Sequence, residues 1–140
     1  MIYKSYKIRL EPNNKKLSAL RGHAGVNRHA YNQGLNYCNE LRKKGEKTPS
    51  AIDLHKWLVA NIKKEFSWYY DYSKCSPQQA LRDLETAYKN FHRLQKKSGY
   101  SLKDKKGRLQ GLPNFKKKGI KDSFYLDGAI KIQDKKIYSG

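Results

Sequence analysis

The sequence predicts an α+β chain, extended at both ends and helical between them, on three observations. Residues 2–10 alternate, with Ile2, Tyr6, Ile8 and Leu10 on one side and Tyr3, Ser5, Lys7 and Arg9 on the other, Lys4 being the exception. That is the two-residue period of a half-buried strand. Residues 76–94, SPQQALRDLETAYKNFHRL, place Ala80, Leu81, Leu84, Ala87, Tyr88, Phe91 and Leu94 at spacings that only a helix gathers onto one face. After residue 122, short β-prone runs return around Asp127-Gly128, a hairpin turn signal. Strands, then helices, then strands in chain order define the class.

Composition narrows the partners. The chain has 140 residues, with 31 Lys and Arg against 12 Asp and Glu, for a net charge of +19. Self-repulsion of that size is relieved by an anion, which points to nucleic acid. A membrane surface is the rival anion, but the basic residues spread over several elements and no single basic amphipathic helix dominates. No run approaches the roughly 18 apolar residues that span a bilayer. Eleven Tyr and two Trp supply either stacking platforms for single strands or ordinary packing. Cys38 and Cys75 stand apart without a CxxC, and no signal peptide precedes them, so both are expected as reduced thiols in a cytoplasmic, prokaryotic, nucleoid-associated setting.

Taken in order, Glu11 and Pro12 stop the first strand. Asn13 or Asn14 caps a short helix with Leu17 and Leu20 inward, ended by Gly22. A second helix, about 24–44, carries Val26, Ala30, Leu35, Cys38 and Leu41, and its last turn, Arg42-Lys43-Lys44 before Gly45, suits the negative end of a helix dipole. Ser50 with Asp53 is a capping-box signal for a third helix with Leu54, Leu58 and Ile62 inward. The aromatic turn 66–72 closes the helical layer, with Trp68 as the expected buried anchor. In the fourth helix Ser76 is the expected cap, Pro77 the first helical residue and Gln79 the capping-box partner. Between 96 and 121 ten Lys or Arg face one acid, Asp104, without any period, which predicts a loop or a segment ordered by its partner. Strands are expected at 123–126 and 130–132, with a third beginning at Ile137. A sheet still continuing at Gly140 reads as a truncation, natural or introduced.

Catalytic constellations are scarce. Asp83 and Glu85 are two apart on a helix and diverge. His23, His29, His55 and His92 have neither metal-ligand spacing nor a nucleophile nearby, so each reads as a surface or phosphate-contacting residue. No glycine-rich phosphate cradle precedes a helix.

These motifs together resemble a known family. Arg9-Leu10-Glu11-Pro12-Asn13, then Gly25 and Arg28 ahead of Tyr31-Asn32-Gln33-Gly34-Leu35, then Asp53-Leu54, Trp68, Gln78-Gln79-Ala80-Leu81-Arg82-Asp83-Leu84, Ala87-Tyr88-Lys89-Asn90-Phe91 and Pro113-Asn114-Phe115-Lys116 follow its order and spacing. The chain is similar to the N-terminal region of the insertion-sequence OrfB/TnpB family, transposon proteins now understood as RNA-guided DNA nucleases akin to type V CRISPR effectors. The similarity covers about the first third of a typical member. The family's RuvC-like nuclease and four-cysteine zinc ribbon fall outside that third. Mg and Zn are therefore expected only in those parts, with no cofactor, metal site or catalytic residue in this chain.

The resemblance implies a β-barrel-like wedge domain, formed by strand 2–10 and hairpins after 122, interrupted by a recognition insert of about four helices. It divides the chain into a wedge strand at 1–12, a helical insert at 13–97, and a basic loop with wedge hairpins at 98–140. It also implies guide RNA and double-stranded DNA as partners, with no membrane role. Lys74 and Gln78 resemble the side chains that read a short motif beside the DNA target. Gln suits bidentate contact with adenine and Lys with guanine. Cys75 and Pro77 replace bulkier apolar residues common there, which bears on the motif recognised. Contacts to the nucleic-acid backbone are expected from Arg82, Lys89, Arg93, Lys96 and Lys97 on the fourth helix, and from Lys103, Lys105, Lys106, Arg108, Lys116, Lys117, Lys118 and Lys121 in the loop. Two other classes stay open: a stand-alone helix-turn-helix repressor of its own element, and a decayed transposase fragment.

Overall fold

The computed structural model describes residues 2–99, 103, 105–126, 130–133 and 136–139. Its centre is a pair of long helices. α1 (Asn14–Lys43) begins where the Asn13 side chain accepts from the Lys16 amide at 2.9 Å. It closes at Gly45 (φ +75°), where the Gly45 amide donates to Arg42 O and the Glu46 amide to Leu41 O, the paired bonds of a Schellman end. α1 is one helix where two were expected. Gly22 reads as a stop, yet it lies inside the helix because Tyr72 packs on it: an added Cβ would sit 2.3 Å from the Tyr72 Oη.

α2 (Ala51–Trp57) starts at Ser50, whose hydroxyl accepts from the Asp53 amide at 3.3 Å and donates to its carboxylate at 3.2 Å. A π-helical turn (Leu58–Ile62) follows, with the Lys63 amide reaching back to Leu58 O. Its wider repeat turns both Ile62 and Lys63 inward, leaving them 7% and 8% exposed. α3 (Lys63–Glu65) and a 3-10 turn (Ser67–Asp71) lead to α4 (Cys75–Lys97).

α1 and α4 run parallel at a constant offset. Asn27 donates to Ser76 O at 3.0 Å, Tyr88 Oη donates to Asn39 at 2.8 Å, and both contacts span 49 residues. α2 returns antiparallel along α4, since Ala51 N–H donates to the Glu85 carboxylate while His55 meets Gln78. The core between them joins Val26, Ala30, Leu35, Cys38, Leu54, Leu58, Ile62, Leu81, Leu84 and Phe91. Burial pushes the Cys38 thiol up to about 11, and both cysteines are free.

Four expectations are corrected. The chain is mostly helical, and no β-barrel-like wedge forms among the described residues. Residues 2–10 take no strand, because nothing among the described residues pairs with them and Ile2, Tyr3, Tyr6, Ile8 and Leu10 all face solvent. Residues 123–126 are likewise not a strand; the described sheet is β1 (Ile130–Gln133) paired antiparallel with β2 (Lys136–Ser139), and Asp127-Gly128 lies outside the described residues. Trp68 is not the buried anchor. It is 37% exposed while Tyr69, 2% exposed, takes the interior, its hydroxyl 2.6 Å from His29 Nδ1.

Gly34 marks the closest approach of the two long helices, since an added Cβ would lie 2.9 Å from both Leu81 Cδ2 and Leu84 Cδ2. Gly34→Ala is expected to lower stability in denaturant melts by about 1–3 kcal/mol through overpacking. Gly25, equally helical, would set a Cβ no nearer than 3.6 Å from Arg28. Gly25→Ala is expected to gain roughly 0.5–1 kcal/mol from helix propensity.

Candidate nucleic-acid interface

The start of α4 is set differently from its sequence signal. Ser76 is fully buried and its hydroxyl donates to His23 O at 3.1 Å, so it ties α4 to α1 instead of capping. The helix begins two residues earlier, with Lys74 at the cap position and Ser73 Oγ accepting from the Cys75 amide at 3.3 Å. Gln79 donates to Asp83 at 3.0 Å and closes no capping box. Gln78 nevertheless stays in the first turn, half-buried, and points to α2, with its Nε2 3.5 Å from His55 Nε2.

This corner is cationic and partly buried. Burial, then Lys63 and Lys74, hold the His55 imidazole below its ordinary value of 6.5. Lys63 is itself held below its ordinary range by burial and by Lys74, and its ammonium sits 5.6 Å from the Tyr70 ring centre. No ion pair among the described residues reaches Lys63 or Lys74. His55 Nδ1 is buried without a partner among the described residues. The family resemblance singles out Lys74 and Gln78 and gives no role to Lys63 or to His55, which the structure places at the same corner. Lys63 is brought inward by the π turn, which leaves no periodic signal.

The remaining cations form two further groups. On α4, Arg82, Lys89, Arg93, Lys96 and Lys97 all lie on the exposed face; Lys89 pairs with Glu85 at 3.3 Å and Arg93 donates to Asn90. In the loop, Lys103, Lys105, Lys106, Arg108, Lys117, Lys118 and Lys121 are exposed, with Arg108 donating to Asn114 at 2.6 Å.

The described part of the loop from residue 110 onward is tied to α1 and α4. Asn32 brackets Lys116, donating to its carbonyl at 2.9 Å and accepting from its amide at 2.7 Å. Arg28 pairs with Asp122 at 3.2 Å, Phe124 stacks on His23, and Gln95 donates to Gln110 O. Lys116 is drawn from the solvated block, its ammonium 4.4 Å from the Tyr31 ring centre. Lys117 and Lys118 alone of that triplet face solvent fully. Among the described residues no group of three His, Cys, Asp or Glu side chains is placed to hold a metal ion, and no helix is long and apolar enough to cross a membrane.

Residues 1–47 match the helix-turn-helix domain of OrfB proteins of the IS605 type. The chain is 30% identical over 129 residues to InsQ of Escherichia coli strain K12, a protein named as a proposed RNA-guided DNA endonuclease. That similarity covers 91% of this chain and 29% of InsQ, so the chain spans under a third of the relative's length. No solved structure matches. The matched segment folds here as an extended stretch and the single helix α1, so no pair of helices joined by a tight turn lies within it.

Two imidazoles give this region a pH signature. His29, like His55, is held below 6.5, by burial first and then by Arg28, against a raising effect of Glu65. Both resist protonation when folded, so the unfolded chain binds more protons as pH falls below the ordinary value. Their contribution is therefore present at pH 7 and is lost on acidification from about 6.5 downward. Denaturant melts between pH 7.5 and 5 are expected to show falling stability, and a flatter profile for His29→Gln/His55→Gln.

Proposed function

We propose that this chain, whose sequence is that of the N-terminal region of the OrfB/TnpB family, is the nucleic-acid-gripping lobe of a transposon-associated RNA-guided DNA endonuclease. It holds guide RNA and reads a short duplex motif beside the target. The observation that carries this reading is the corner at the start of α4. A glutamine amide is presented in a helix's first turn, away from the apolar stripe, between Lys74 and the inward Lys63. First-turn side chains are the ones a helix offers to base edges in a major groove. Gln78 suits adenine and Lys74 suits guanine, while the exposed cations on α4 and at 117–121 suit phosphates, which position without specifying. Chemistry on the DNA, with its Mg and Zn, belongs in this proposal to parts of the protein outside this chain.

A self-sufficient helix-turn-helix repressor is disfavoured, since α1 fills the matched segment without a second helix. The reading by Gln78 is tested by competition against a randomised duplex library in the RNA-bound state. Gln78→Ala is expected to weaken binding to the preferred motif by about 1–3 kcal/mol and to change other sequences little. Lys74→Ala deepens that loss. An identical sequence preference for wild type and Gln78→Ala would leave Gln78 as a surface residue.

Lys117→Gln/Lys118→Gln is expected to weaken RNA and DNA alike, without shifting preference or melting temperature, and to flatten the log–log salt dependence by roughly 0.7–0.9 per lost phosphate contact. Lys116 is excluded from that variant, because its cation lies on Tyr31 and its backbone is held by Asn32.

A further inference from the structure

Between α1 and the 3-10 turn lies a cleft of about 410 Å³, lined among others by Gly22, Gly25, Arg28, Trp68, Asp71 and Tyr72. Its construction answers to an unpaired nucleobase. The floor is α1 backbone, which the Tyr72 ring covers at Gly22 and which lies open at Gly25, where an added Cβ would meet only Arg28. The walls are aromatic. Trp68 stacks on Tyr69 at 4.6 Å and 11°, and its remaining surface stays 37% exposed. Tyr72 is fixed edge-on against His23 at 5.0 Å. A rigid aromatic wall gains base-stacking energy with little side-chain ordering.

The polar groups distinguish this cleft from a plain phosphate site. Asp71 is exposed on its rim and makes no hydrogen bond or ion pair among the described residues. A carboxylate repels phosphate, so an exposed one on the rim of this cleft suits a ligand that offers hydrogen-bond donors. A carboxylate accepts from base donors, and guanine offers two adjacent N–H donors on its pairing edge. The cation rail is close by. Arg28 and Asn32, both lining the cleft, are the residues that fasten the loop, through Asp122 and Lys116, and between those two anchors Lys117, Lys118 and Lys121 are exposed.

We propose that this cleft is a slot for a single unpaired guanine of a nucleic-acid strand, stacked on Trp68, read by Asp71, with its flanking phosphates on Lys117, Lys118 and Lys121. The proposal rests on the nucleic-acid reading above but assigns a site separate from Gln78. It is tested on the full chain by fluorescence anisotropy, using a labelled ten-nucleotide uridine strand with and without one central guanosine, and the corresponding thymidine strands.

The guanosine strand is expected to bind about ten-fold tighter. Asp71→Asn is expected to erase that preference while leaving plain uridine binding equal or stronger, because it removes a negative charge. A merely structural Asp71 would not move the two strands in this unequal way. Trp68→Ala is expected to weaken both strands. Preference in the ribose series alone assigns the slot to RNA, and preference in both series extends it to single-stranded DNA. Equal binding with and without guanosine, or a preference that survives Asp71→Asn, overturns the slot and leaves the wider reading standing. Failure to bind any strand at low salt overturns both.

Discussion

The parallel contact of α1 with α4 is the constraint from which the other placements follow. Two helices in one direction cannot be joined by a short turn, so the 31 residues from Lys44 to Lys74 must travel back along the pair before α4 begins. α2 makes that return and packs on α4, burying Leu54 in the shared core, to which the π turn adds Leu58. The constant offset is held by a hydrogen bond near each end of the contact, and by Gly34 between them, where Leu81 and Leu84 approach the bare α1 backbone. Slipping the register by one residue would turn Asn27 and Asn39 away from their partners and bring side-chain bulk against the leucines. The start of α4, and with it Gln78, is therefore located by α1.

Electrostatics then decide what this scaffold presents. The described residues contain two ion pairs, Arg28–Asp122 and Lys89–Glu85, in a chain with 31 basic side chains. Most of the positive field is thus left unneutralised from within. It is also not uniform. At the α4 corner the cations are partly desolvated, so His55 and Lys63 are held toward their neutral forms, and an approaching anion would reverse that bias. Along the loop the lysines are solvated and act as a diffuse counter-charge. The two environments differ in solvation, and the proposed function assigns discrimination to the first and attachment to the second.

Much of the helical part was legible from residue spacing. Leu54, Leu58, Ile62, Ala80, Leu81, Leu84, Tyr88 and Phe91 were placed inward by period alone and are buried, while Ala87 is half-buried. The caps at Asn13 and Ser50 were likewise readable, because a short polar side chain before an apolar-periodic run has few other roles. The errors have one origin. Gly22, Ser76 and Trp68 were assigned by local rules, and each is overruled by a contact from far along the chain: Tyr72 on Gly22, His23 O on Ser76, and His29 bonding Tyr69, which takes the interior in place of Trp68. The alternation at 2–10 predicts a strand only if another strand pairs with it, and none among the described residues does.

What the sequence determined by itself is the cationic character, the helices, the faces they bury and the resemblance to the N-terminal region of OrfB/TnpB proteins, because charge count and period are properties of neighbouring residues. Tertiary structure alone decided that α1 and α4 are parallel, that the π turn brings Lys63 beside His55, and that Asn32 and Arg28 fasten the basic loop. The same holds for the cleft where Trp68 and Asp71 meet the bare face of α1. Apart from Lys63 and His55, these contacts join residues far apart in the chain, up to the 94 positions between Arg28 and Asp122. Such distances carry no periodic trace, since they are selected by packing volume and hydrogen-bond satisfaction once the helices have docked.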